Sequence, residues 1–121
     1  MKSYPDINQC KKLKEILSLE SADMGLYYSC NTLAANNQMW VGTKSENADI
    51  PCWSLAALRS CLPSGISIDD TLYVFESHKT FDNEWVYAYK YENNMVIYIK
   101  STNEIDACYE MILKLHELNL L

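Results

Sequence analysis

The 121-residue chain reads as a single α+β domain spanning 1–121, an antiparallel sheet with a C-terminal β-meander and helices packed mainly on one face. Three observations predict this. Apolar residues at helical spacing mark the two ends of the chain, at 6–19 and 101–121. Between 71 and 101, three segments rich in β-branched and aromatic residues alternate with period two. Only three glycines and three prolines punctuate the sequence, and no repeat or low-complexity stretch divides it, which suits one compact core.

The first element is the helix over 6–19. Ile7, Cys10, Leu13, Ile16 and Leu17 fall on one face with lysines opposite, and Asp6 stands at the N-cap position. The next stretch predicts two short strands, over 26–30 and 39–41, separated by the turn-prone Asn36-Asn37.

"PCWSLAALRSCLP" (51–63) concentrates a tryptophan, two cysteines and an arginine between prolines. Pro51 suits an extended or helix-entry backbone, Ser54 an N-cap, and Leu55, Leu58 and Leu62 recur at helical spacing before Pro63-Ser64-Gly65 stops the run. We read a two-turn helix docked by Trp53. Cys52 and Cys61 lack the C-x-x-C spacing of a metal or redox pair. Cys52 precedes a helix start, where a thiol pKa can fall, so a reactive role stays open beside the packing role.

The meander follows, with strands over 71–77, 84–91 and 95–101. A two-residue turn at Asn93-Asn94 would set Tyr89 opposite Tyr98 and Ala88 opposite Ile99. One face then carries Val86, Ala88, Met95, Ile97 and Ile99, interrupted by Lys90; the other carries Trp85, Tyr87, Tyr89, Tyr91, Val96 and Tyr98. The last helix, 101–121, has capping-box spacing at Ser101 and Glu104. Its apolar stripe is Ile105, Cys108, Ile112 and Leu115, widened by Met111 and Leu118, and Glu110 with Lys114 forms an outward i,i+4 pair. The expectation is that this helix covers the aliphatic face and leaves the aromatic one for the N-terminal half or another molecule.

Charge and motif content narrow the function. A net charge of −6 with scattered lysines argues against nucleic-acid binding, which needs clustered cations to displace counterions from phosphate. No apolar run approaches a membrane span, and the opening "MKSYPDINQC" lacks the apolar core of a signal peptide, so no membrane association and a cytoplasmic location in a bacterial host are expected. Five cysteines, an odd number at irregular spacing, read as reduced thiols. No phosphate-binding glycine loop, nucleophile elbow or metal-ligand spacing occurs; the acid pairs Asp69-Asp70 and Asp82/Glu84 read as turn residues, and His78 and His116 are isolated. No catalytic residue, cofactor or metal is assigned.

The candidate binding surface is therefore Trp85, Tyr87, Tyr89, Tyr91 and Tyr98, large rings with polar tips suited to a protein partner or a second copy of the chain. The same row can instead be a second core layer beneath the N-terminal half. The alternative is a small-ligand or small-enzyme pocket between the sheet and residues 24–62, lined by Trp40, Cys52, Trp53 and His78.

"LSLESADM" (17–24), the W-S-L-x-x-L core of "IPCWSLAALRSCLP" (50–63) and the tail "DACYEMILKLHELNLL" (106–121) resemble an uncharacterised family of small proteins encoded by phages and mobile elements of gut bacteria. The resemblance implies an accessory role in such an element and a packing role for the 50–63 motif. It carries no functional residues.

Overall fold

The computed structural model describes residues 2–28, 39–44 and 47–121. The chain runs α1 (Ile7–Ile16), a 3-10 turn (Leu19–Ser21), β1 (Met24–Tyr28), β2 (Met39–Thr43), β3 (Ile50–Cys52), α2 (Leu55–Cys61), β4 (Gly65–Ile68), β5 (Thr71–Lys79), β6 (Trp85–Tyr91), β7 (Asn94–Ser101) and α3 (Glu104–Glu117). The strands form two antiparallel sheets, ordered β2-β1-β3 and β4-β5-β6-β7. The α+β class and the C-terminal strand series stand as expected. Asn36-Asn37 lies outside the described residues.

Each helix starts where a side chain can take a free first-turn amide. Asp6 caps α1, and Gln9 reaches back to the Asp6 amide, a reciprocal box with N···O distances of 2.8 and 3.0 Å. Ser54 caps α2 through the Ala57 amide. For α3 the cap is Asn103, not Ser101, because Glu104 is drawn inward to Arg59 and Tyr87 and does not close a box. Asn119 ends α3 at a φ of 58°, and the amides of Asn119 and Leu120 return to the carbonyls of His116 and Leu115. That pattern terminates a helix without glycine because asparagine tolerates the left-handed region.

Two short strands escaped the sequence reading. Pro51 lies in β3 and is not a helix entry; β3 is an edge strand, where a missing N–H breaks no ladder. β4 joins β5 through Asp69-Asp70, both at positive φ (49° and 66°), the geometry of a tight two-residue hairpin.

α1 links the two halves of the core. Its Leu13 enters the main cluster with Trp53, Leu58, Tyr87, Tyr89, Met111, Ile112 and Leu115, while its Cys10 joins Leu26, Ile50 and Cys52 beneath the small sheet. Lys2 and Gln9 fasten this helix to α3 by contacts of 2.7 and 2.9 Å to Asp106.

Candidate functional site

The faces of the meander differ from the sequence expectation at one point. The β6–β7 turn is Glu92-Asn93 and not the expected Asn93-Asn94, because Glu92 takes the positive φ (53°) and Asn94 already pairs with Tyr91; this shift of two in pairing still keeps Lys90 and Met95 on one face. A bulge then falls between Tyr89 and Lys90: Lys90 pairs with Met95, Tyr89 with Ile97, and Val96 is the additional residue. Beyond the bulge every β7 side chain changes sides. Tyr87 faces Ile99, Tyr89 faces Ile97, and Tyr98 faces Ala88.

The expected five-ring aromatic face is therefore not a surface. Tyr87 and Tyr89 are fully buried and Trp85 is half-buried, all against the layer formed by α2 and α3. So α3 covers the tyrosine side, not the Val86/Ala88 side. Both buried hydroxyls are satisfied: Tyr87 donates to Glu104 Oε1 (2.8 Å) and Tyr89 to the Pro63 carbonyl (2.7 Å). Arg59 donates to the same Glu104 oxygen at 2.9 Å and lies over the Tyr87 ring. Burial raises both phenol pKa values, with the Glu104 carboxylate adding to the effect at Tyr87. Tyr91 shares the inner side but projects past the helices, half exposed, with its ring edge-on to Tyr73 at 6.4 Å.

What remains open is the opposite face. Leu72 and Val74 of β5 and Met95 and Tyr98 of β7 are 58%, 54%, 50% and 57% exposed, with Val96 beside them and the small Ala88 between the strands. Among the described residues no helix lies on this side: the side chains that pack with α2 and α3 belong to the other face. Its two lysines are matched locally: Lys90, which lies on the central strand between Val74 and Met95, pairs with Glu76 at 3.4 Å, and Lys100 pairs with Glu84 at 3.5 Å. His78 lies on this face opposite Val86. The period-two alternation of "TLYVFES" carried the signal for Leu72 and Val74. Phe81, fully exposed at the tip of the β5–β6 turn, had no signal beyond an aromatic residue in a polar loop.

The alternative pocket residues do not converge. Trp53 is buried in the main core with its indole N–H on Ser21 Oγ at 2.9 Å. Cys52 is buried against Cys10. Trp40 is exposed on the small sheet, stacked on Tyr27 at 4.4 Å above the Gly25/Gly42 pair, and His78 belongs to the other sheet. A different cavity, about 540 Å³ and lined by Leu19, Ala22, Met24 and Pro51 together with Lys14, Lys44 and Asp49, opens between α1 and the small sheet. Among the described residues, no group of three or more His, Cys, Asp or Glu is placed to hold a metal ion, and no helix is long and apolar enough to cross a membrane.

Comparison with family models, curated proteins and solved structures returns no match to this chain.

Proposed function

We propose that the chain is a non-enzymatic binding protein that takes a protein partner on the uncovered face of its four-stranded sheet. One observation carries this: Leu72, Val74, Met95 and Tyr98 form an exposed apolar row on the side away from the helices. A surface holding a tyrosine, a methionine and aliphatic side chains around one lysine and one glutamate that pair with each other has the composition of an interface. The Lys90/Glu76 pair within the row and the Lys100/Glu84 pair beside it are each neutralised locally, so the face offers apolar contact area with no unpaired lysine charge. The sequence resemblance adds the setting, an accessory protein of a phage or mobile element acting inside a bacterial cell.

The test is capture from a bacterial lysate with the wild-type chain and with a Val74→Asp, Tyr98→Asp variant shown by circular dichroism to be folded. Both positions are exposed, so the variant keeps its core. A protein held by the wild type and lost by the variant supports the reading, and light scattering separates a foreign partner from a second copy. Equal capture by both removes this face from the function.

A second reading is retained because the cavity between α1 and the small sheet is lined by apolar side chains with Lys14, Lys44 and Asp49 among them. It suits a small ligand with an apolar body and a polar head. Calorimetric titration with a medium-chain fatty acid tests it: saturable binding weakened by Lys14→Ala favours sequestration over partner binding.

A further inference from the structure

We propose that Cys10 and Cys52 form an oxidative modification site, a thiol pair that a peroxide converts into a disulfide tying α1 to β3. The two sulfurs lie 3.5 Å apart, one from the first helix and one from the edge strand of the small sheet, and both residues are fully buried. A disulfide needs an S–S distance of about 2.0 Å, so a closure of roughly 1.5 Å joins them. The residues are 42 positions apart in sequence, so the bond would lock the N-terminal helix onto a sheet it otherwise holds by apolar packing.

The two sulfurs are not equivalent. The Cys10 thiol is placed to donate to Cys52 Sγ, and it also lies 3.6 Å from the Pro5 carbonyl. Cys52 is the acceptor, and that hydrogen bond lowers its pKa against the opposing effect of burial. Cys10 is held protonated by the same bond and by burial. Cys108, by contrast, is pushed up to about 12, chiefly by burial in the main core, and stays a thiol. The chemistry therefore starts at Cys52.

Cys52 thiolate attacks one oxygen of a hydroperoxide; an S–O bond forms, the O–O bond breaks, and the departing alkoxide or hydroxide takes a proton. Cys10 Sγ then attacks Cys52 Sγ; the S–S bond forms, the S–O bond breaks, and water leaves with the proton from Cys10. Two thiols lose two electrons to one peroxide, which ends as an alcohol (or water) and one further water. A cavity of about 430 Å³ beside Pro5, Ile7 and Leu26 reaches the shell of this cluster, since Leu26 packs with both cysteines and the Pro5 carbonyl touches Cys10.

The experiment treats the full chain with hydrogen peroxide, alkylates remaining thiols in denaturant, and maps unreduced peptides by mass spectrometry. The expected product is a Cys10–Cys52 linked peptide pair, two hydrogens lighter than the reduced pair and absent from Cys52→Ala. In Cys10→Ala, which leaves Cys52 without a resolving thiol, a dimedone adduct is expected at Cys52. A dominant bridge through any other cysteine, or Cys10 and Cys52 both still alkylated, overturns the proposal. Should either alanine variant fail to fold, the wild-type map decides.

Discussion

Replacing Tyr89 and Tyr98 in turn tests the bulged register, because an unbulged pairing would place both rings on one face. Tyr89 is fully buried, its ring 5.4 Å from that of Phe75 and its hydroxyl on the Pro63 carbonyl. Truncation to alanine removes a buried ring and should destabilise the fold by about 3–5 kcal/mol. Tyr89→Phe keeps the ring and removes only the hydrogen bond, leaving a carbonyl short of a donor, for about 1–2 kcal/mol. Tyr98 is 57% exposed on the opposite face, so Tyr98→Ala should cost less than about 1 kcal/mol. With a total stability of order 6–15 kcal/mol for a chain of this length, all three variants remain measurable by urea denaturation at equilibrium. Equal losses for Tyr89→Ala and Tyr98→Ala, or a larger loss at Tyr98, would refute the register and with it the assignment of the open face.

Three further outcomes follow from the geometry. Gly42→Ala would place a Cβ 2.8 Å from the Trp40 ring, so the Tyr27–Trp40 stack should open, with a change in tryptophan fluorescence and a loss of about 1–3 kcal/mol in urea denaturation. Burial acts to raise the Asp106 carboxyl pKa, but hydrogen bonds from Gln9 and Lys2 and the lysine charge outweigh it and hold the pKa below the usual value. This stabilisation is present above the unfolded value of about 3.9 and is lost as pH falls through the lower folded value; the stability gap between wild type and Asp106→Asn, measured in urea at each pH, should narrow over that acid range. Tyr87 and Tyr89, raised first of all by burial, have the opposite sign: their contribution is full below about pH 10 and is lost at higher pH, so ultraviolet titration should show them ionising after the exposed tyrosines.

The sequence showed the long elements, the short helix α2 and, roughly, β1 and β2, and it missed β3 and β4 for identifiable reasons. Helices α1 and α3 and the meander each repeat an apolar period several times, so their existence survives local exceptions. β3 and β4 span three and four residues, too few for a period to emerge, and Pro51 imitates a helix start. The candidate face turned on two things, which side of β6 the helices cover and one bulged residue. Val96 is ordinary in a strand, nothing in "YKYENNMVIYIKS" marks it as the bulged position, and that one extra residue set Ile97 and Ile99 on the side of Tyr87 and Tyr89, and Tyr98 on the side of Ala88. The Cys10–Cys52 contact joins segments distant in sequence and has no local signature.

The most direct measurement is tyrosine nitration of the native chain, read by peptide mass spectrometry, free and when held by a captured partner. In the free chain Tyr91 and Tyr98 should react while Tyr87 and Tyr89 stay protected; in the complex Tyr98 should become protected and Tyr91, on the other side of the sheet, should not. Reactive Tyr87 or Tyr89 in the free folded chain, or a Tyr98 as reactive in the complex as outside it, would contradict the account.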